Sequence, residues 1–241
     1  MYEPRTYRDW VSDKDLASFT VVVKETDLRI RARRDLTAEA LAAVKRYRAD
    51  LEDYIKAHPL FLTTLKPFEV EENAPPMVKE MAESAARVGV GPMAAVAGAI
   101  AEKVGRELLP FSDEIIVENG GDIFLKTRKE RFIGVYAGES AFTKKIAFSI
   151  LPEETPLGVC TSSGTVGHSL SFGYADAVIV FSPSTSLADA AATAIGNMVR
   201  IPEDIPQALE FAQGIEDLKG VAIIKGDNLG LLGQIRLATV D

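Results

Sequence analysis

Asp189 and Thr193 stand four residues apart in LADAAATAIGN, inside a stretch whose composition predicts a helix over residues 186–199. That spacing puts a carboxylate and a hydroxyl on one helix face, one turn apart. Both are hard oxygen ligands of the kind Mg²⁺ takes. The same pattern also fits an exposed or N-capping aspartate beside a core-facing threonine, so spacing alone leaves both readings open. Upstream, Asn119, Gly120, Gly121 and Asp122 follow an apolar run. The glycine pair permits positive φ and lets backbone N–H groups face an anion. Asp122 could orient a ribose, a hydroxyl or an ion, while Asn-Gly is equally a hairpin-turn signal.

A third cluster surrounds the only cysteine. Cys160 is followed by Thr161, Ser162, Ser163 and Gly164, and His168, one of two histidines, comes soon after. Such a loop can hold a phosphate through N–H and O–H donors. Cys160 could be a thiolate stabilised by the glycine-rich loop and His168, or a small buried core residue. Serine hydrolase chemistry lacks its G-x-S-x-G elbow here.

The chain supports such sites with a substantial core. It has 241 residues, 47% of them hydrophobic and 26% charged, and a net charge of −8. This predicts a globular protein and argues against nucleic-acid binding. The one basic cluster, Arg29, Arg31, Arg33 and Arg34, reads as the solvated face of an edge strand. One cysteine excludes an internal disulfide and a cysteine-only metal cage. The N-terminal MYEPRTYRDWVSDKD has no apolar core, and no apolar run approaches the ~20 residues that cross a bilayer. The expected location is the cytoplasm, with no membrane partner.

Strands are expected at residues 18–24 and 28–33, joined by a turn at Glu25-Thr26-Asp27. Thr37 is a candidate N-cap for a helix to about residue 57, which His58-Pro59 ends. A second helix spans about 77–87. GVGPMAAVAGAIAEKVGREL then gives a glycine turn and a helix so rich in alanine that another backbone or a flat ligand could lie against it. Strand signals follow at 113–118, 122–127, 131–136, 144–151, 157–161 and 175–181, then the helix at 186–199 and another at 204–213. Strands at 219–225 and 231–239 close the chain. Short turns between neighbouring strands imply antiparallel pairing and an α+β class. The organisation expected is one domain over 1–241, with two intimately associated subdomains at about 1–110 and 111–241.

GVGPMAAVAGAIAE, ENGGDIFL and CTSSGTVGHSLSFGYADAV…LADAAATAIGN occur in that order. Together they resemble the ApbE-like superfamily, known for FAD:protein FMN transferases, once called thiamine biosynthesis lipoproteins. The closest likeness is to its short cytosolic branch in archaea and anaerobic bacteria. The resemblance implies a fold of mainly antiparallel sheets with packed helices, and FAD or a related flavin nucleotide with Mg²⁺ between two subdomains. It implies Asp189 and Thr193 as metal ligands. It places Asn119, Gly120, Gly121 and Asp122 at the flavin, Asn119 with one intervening position missing. It places Thr161 and Ser162 at a strand end there, with Ser163 as an added serine.

Two features of the transferases are missing. Ala97-Gly98-Ala99 stands where they carry a lysine, and GHSLSFGYADA where they carry an Asp-Pro loop. The resemblance therefore implies a small-molecule pocket more strongly than the transfer reaction and its acceptor protein. The branch's link to sulfide assimilation implies an alternative: a sulfur-handling protein with Cys160 and His168 as catalytic groups. A non-catalytic binding protein is the third reading, and a homo-oligomer fits any of them.

Overall fold

The computed structural model describes residues 15–143, 145–164 and 173–239. Period-two burial is clearest at the sheet's first strand. In β1 (Ala17–Val23) Phe19 and Val21 are buried while Ser18, Thr20 and Val22 are exposed. β2 (Thr26–Ala32) pairs with it across a two-residue turn, Lys24-Glu25, with Lys24 at φ 53°. Val23 faces Thr26, so Thr26 belongs to the strand and not to the expected turn.

Helix α1 (Thr37–Ala57) buries Ala40, Ala43, Val44, Leu51 and Tyr54. Thr37 is its first residue rather than its cap. Asp35 Oδ1 accepts from the Thr37 N–H at 2.8 Å and from its hydroxyl at 2.6 Å, which supplies the cap from outside. His58 closes the helix, its ring stacked on Tyr54 with centroids 4.3 Å apart. A single turn, α2 (Leu60–Thr63), follows. α3 (Pro76–Val88) ends on Gly89 at φ 76°, a conformation that suits glycine. A 3₁₀ turn over Pro92–Ala95 leads into α4 (Val96–Leu108).

The second half supplies β3 (Ile115–Asn119), β4 (Asp122–Lys126), β5 (Arg131–Gly134), β6 (Ile146–Ile150), β7 (Leu157–Ser162) and β8 (Ala177–Ser182). Then come α5 (Thr185–Gly196), α6 (Ile205–Gln213), β9 (Gly220–Lys225), β10 (Asn228–Gly233) and β11 (Leu237–Thr239). Among the described residues, one sheet runs β1-β2-β3-β4-β7-β8-β9-β10 and a smaller one β11-β6-β5. Every pairing is antiparallel, and the class is α+β. The last predicted strand, 231–239, splits: its start stays in β10 and its end crosses to pair with β6 as β11.

The large sheet separates two cores. Ile30, Val117, Phe124, Cys160, Val180 and Ile223 face the helices. Ile116, Leu125, Val159, Ile179 and Ile224 face the small sheet. β8 is buried at every position because both its faces are covered.

The basic cluster is not on an edge. β3 pairs with β2 on the side away from β1, which makes β2 an interior strand. Arg31 is 2% exposed, and Arg33 is held by Asp113 at 3.0 Å and Glu114 at 2.6 Å. Glu114 also meets Arg131 at 2.8 Å, and Arg131 meets Asp15 at 2.7 Å. The edge reading failed because β3 lies far along the chain from β2, and strand pairing at that separation leaves no local signal. The described residues contain no single helix long and apolar enough to cross a membrane.

Helix α5 is seated by backbone contact. A Cβ on Gly158 would lie 2.5 Å from Thr185 Cα, and one on Gly98 would lie 2.4 Å from Thr185 O. We expect Gly158→Ala to force α5 off the sheet at a cost of about 1–3 kcal/mol. Thermal unfolding followed by circular dichroism should show a midpoint lowered by about 5 °C. An unchanged midpoint would mean that α5 relaxes freely at this contact.

Candidate functional site

Almost the whole of α5 is buried: Thr185 to Ala188, Ala190 to Ala192, and Ala194 to Gly196. The two positions that keep access are Asp189 and Thr193, both half-buried. A helix of small residues embedded on all sides thus opens along one stripe, and the stripe is polar.

The start of the helix is fixed from two directions. Ser184 Oγ accepts from the Leu187 N–H at 3.2 Å. Glu102 of α4, 5% exposed, accepts from the Thr185 N–H at 2.6 Å and is paired with Arg106 at 2.7 Å. A carboxylate at a helix N-terminus is favoured by the helix dipole. Glu102 escaped the sequence reading; its only signal was an acidic residue four positions after Gly98 in an alanine-rich helix.

Asp189 plays the reciprocal part for α4. Its Oδ2 accepts from the Gly98 N–H at 2.8 Å, and the Ala97 N–H also donates to it. Helix α4 has no side-chain cap of its own, so Asp189 caps it from another helix. The β3–β4 hairpin is tied to the same point, because Asn119 Nδ2 donates to Ala97 O at 3.1 Å. Asn119 faces Asp122 across the turn, with Gly120 at φ 73° and Gly121 at φ 135°. The glycine pair makes the hairpin turn and brings Asp122 under α5.

Asp122 is 8% exposed and its Oδ1 has no hydrogen-bond partner. Its carboxyl receives the Thr161 N–H and neighbours the Cys160 thiol. β4 and β7 create this meeting: Ile123 pairs with Val159, which places Asp122 beside Cys160 on the helix-facing side. Burial pushes the Asp122 carboxyl up to about 7, and the charge of Glu118 adds to the rise. Burial first, and then the Asp122 charge, hold Asp189 well above the usual carboxylate range, against the Gly98 and Ala97 donors. Asp189 retains some accessible surface, yet protein crowds its carboxyl closely enough for desolvation to dominate.

The structure therefore brings Asn119, Gly121, Asp122, Cys160, Thr161 and Asp189 together. A Cβ on Gly121 would sit 3.7 Å from Thr161 O. Ser162 is buried beneath the end of α5, with its Oγ 3.5 Å from where a Gly196 Cβ would be. Ser163 is half-buried, and Gly120 is exposed at the hairpin tip. His168 lies outside the described residues.

Cys160 has the surroundings of a packing residue. It is fully buried, and its Sγ–H donates to Thr185 O at 3.4 Å. Burial, then the charges of Asp122 and Asp189, push its thiol well above the ordinary value. A nucleophilic thiolate needs the opposite: an electropositive, accessible setting.

Among the described residues no group of three or more His, Cys, Asp or Glu side chains is placed to hold a metal. Any cation here would be held by fewer acidic ligands, with hydroxyl, water or ligand oxygens completing its shell. A cavity of about 230 Å³, lined by Phe148, Leu157, Phe181, Lys219 and Arg236 among others, lies on the opposite side of the large sheet and takes no part in this cluster.

The model of the AbpE bacteria family matches residues 8–236. The chain belongs to that family. It is 43% identical over 221 residues to a UPF0280 protein of Methanococcus aeolicus, covering 89% of each chain. It is 42% identical over 220 residues to one of Methanosarcina barkeri, covering 90% of this chain and 87% of that one. Among solved structures, it resembles the apo flavinyl transferase ApbE of Pseudomonas stutzeri with a TM-score of 0.56 at 14% identity, covering 90% of this chain and 94% of that one. The ApbE protein of Thermotoga maritima gives 0.54 at 13%, covering 89% and 96%. At these identities the structural likeness is one of fold. The ApbE-like reading of the motif order thus holds for the family and for the fold.

The sign of the Asp122 shift sets a pH dependence. Between about pH 4 and pH 7 the folded protein holds a proton on Asp122 that the unfolded chain has released. Stability in the metal-free protein therefore falls as pH rises through that window. We expect Asp122→Asn to remove this slope and to gain ~2 kcal/mol on wild type between pH 5 and pH 8. Urea unfolding in EDTA across that range checks it; parallel curves for the two proteins would contradict the buried, raised carboxyl.

Proposed function

We propose that this chain binds the phosphates of a flavin nucleotide, or of a related nucleotide, at the junction of α4, α5 and the β3–β4 hairpin, with a divalent cation such as Mg²⁺ held by Asp189 and Thr193. The observation that carries this reading is the opening of α5: a helix buried along its length keeps access only at a carboxylate and a hydroxyl one turn apart. Capping of α4 is a structural use for Asp189, while Thr193, accessible one turn further along, serves no such cap. The fold likeness to proteins named as flavin transferases adds support.

The unpartnered Asp122 Oδ1 and the mutual repulsion of two neighbouring carboxyls suit a cation. When bound, Mg²⁺ would supply charge neutralisation for a di- or triphosphate. The protein's own groups would do the rest. Asn119 holds the hairpin against α4. Gly120 and Gly121 leave the turn free of side chains where a ligand would approach. Thr161, Ser162 and Ser163 offer hydroxyl and N–H donors at the end of β7.

The reading is one of binding. Ala97-Gly98-Ala99 stands where the resemblance implies a lysine, and that segment offers no side chain to neutralise a developing phosphate charge. Transfer to an acceptor protein is not part of the proposal. Sulfur chemistry at Cys160 is not favoured either, because the thiol is buried and held protonated.

Isothermal titration of FAD, with and without Mg²⁺, tests the proposal. The expected result is binding that Mg²⁺ strengthens, and an Asp189→Ala variant that loses at least about tenfold in affinity, ~1.4 kcal/mol. No heat of binding from FAD, FMN, ADP or ATP in the presence of Mg²⁺ would remove the reading.

A further inference from the structure

Among the described residues the large sheet ends on β10, with no strand beyond it. The pairing inside the sheet decides which of its backbone groups face outward. Ile224 O accepts from the Asp176 N–H at 2.9 Å, so Ile224 spends its main chain on the β8 side of β9. Main-chain groups alternate in direction along a strand. Ile224, Ala222 and Gly220 therefore serve β8, and their β10 partners Leu229, Leu231 and Gly233 turn N–H and C=O away from β9.

This edge lacks the usual guards. Exposed edges are ordinarily blunted by charged side chains, proline or a bulge. From Asn228 to Ile235 the sequence is NLGLLGQI, without a charge or a proline, in a chain that is 26% charged. The β9–β10 register runs unbroken over all six residues of the strand. Helix α6 keeps the strand in place from behind: a Cβ on Gly230 would lie 2.3 Å from Ile205 Cγ2. Leu231, in the middle of the strand, is nevertheless 41% exposed. Three residues further on, the chain enters β11, the edge of the small sheet, where Leu237 is also exposed.

We propose that β10 is a homodimer interface, at which two copies of the chain join their large sheets edge to edge, antiparallel, about a two-fold axis through Leu231. The strand is its own complement. In that register Leu231 faces its own copy and Leu229 faces Gly233 of the other chain. Their outward N–H and C=O groups then pair in about six hydrogen bonds, and the two exposed leucines meet at the axis. An isologous contact of this kind closes on itself and leaves neither β10 edge free. Charge favours a second copy at this place. With a net charge of −8, identical chains repel across their charged faces, and the uncharged edge is where that repulsion is least. The inference is independent of the nucleotide reading, whose site lies on the helix side of the sheet at the β3–β4 hairpin.

Sedimentation velocity of the full chain at micromolar concentrations tests it. Wild type should sediment with twice the mass of one chain. Leu231→Lys puts like charges at the axis and should weaken the dimer by about a hundredfold or more, and Leu231→Glu should do the same. Position 231 is exposed, so both variants should keep the wild-type circular dichroism spectrum. An equimolar mixture of the two should recover the dimer, which a merely misfolded pair would not. Val22→Lys, on the exposed face of β1 at the other end of the sheet, should leave the dimer intact. A monomeric wild type would overturn the proposal, as would a dimer that Leu231→Lys leaves unchanged. Species that grow beyond the dimer with concentration would also overturn it, since they require a head-to-tail contact instead.

Discussion

Helices α4 and α5 are joined by an exchange of carboxylates across a close backbone contact. Asp189 leaves α5 and accepts from the first N–H groups of α4, and Glu102 leaves α4 and accepts from the first N–H of α5. Each helix caps the other. The exchange requires the backbones to be close, and Gly98 and Gly158 provide that closeness: a methyl group on either would collide with Thr185. The alanines of both helices follow from the same demand, because a larger side chain anywhere along this contact would part the caps from their targets. Position along the chain then does the rest. Once Asp189 is fixed by α4, Thr193 is carried one turn further along the same open stripe.

The site built on this contact is poor as a piece of stabilising structure. Two buried carboxyls that feel each other's charge cannot both ionise without cost. Asp122 and Asp189 both hold their protons to higher pH than a free carboxylate, and their charges push the Cys160 thiol the same way. On the other side of the molecule a buried charge is matched, where Arg131 lies between Glu114 and Asp15. The contrast is what the proposed binding role for this acidic region would lead one to expect. Burial also separates two readings of the same sequence cluster: what disfavours a thiolate at Cys160 favours a cation between carboxylates.

Much of this was legible in the residues, and the part that was not has a physical reason. Short apolar runs bounded by turns revealed most strands, because the interior strands of the large sheet are covered on both faces. The four-residue step from Asp189 to Thr193 correctly placed both on one face of a helix, and the glycines after Asn119 correctly marked a turn. The failures are non-local or too short to show a period. Arg31 became interior because β3 pairs with β2 from far along the chain. The last strand broke in two because its end crosses to the other sheet. Thr37 lost the capping role to Asp35, two residues earlier. α2 has only four residues, too few for a helical pattern. The approach of Asp122 to Asp189 depends on a strand register and a helix seating at once, and no local spacing records it.

The most direct test of a cation site at this junction is a crystal of the protein grown with MnCl₂ and ADP, with anomalous diffraction collected at the manganese edge. The account predicts one anomalous peak beside the side chains of Asp189 and Thr193, with the diphosphate oxygens completing its coordination. A peak elsewhere, or an ordered nucleotide at this junction with no manganese beside Asp189, would contradict it.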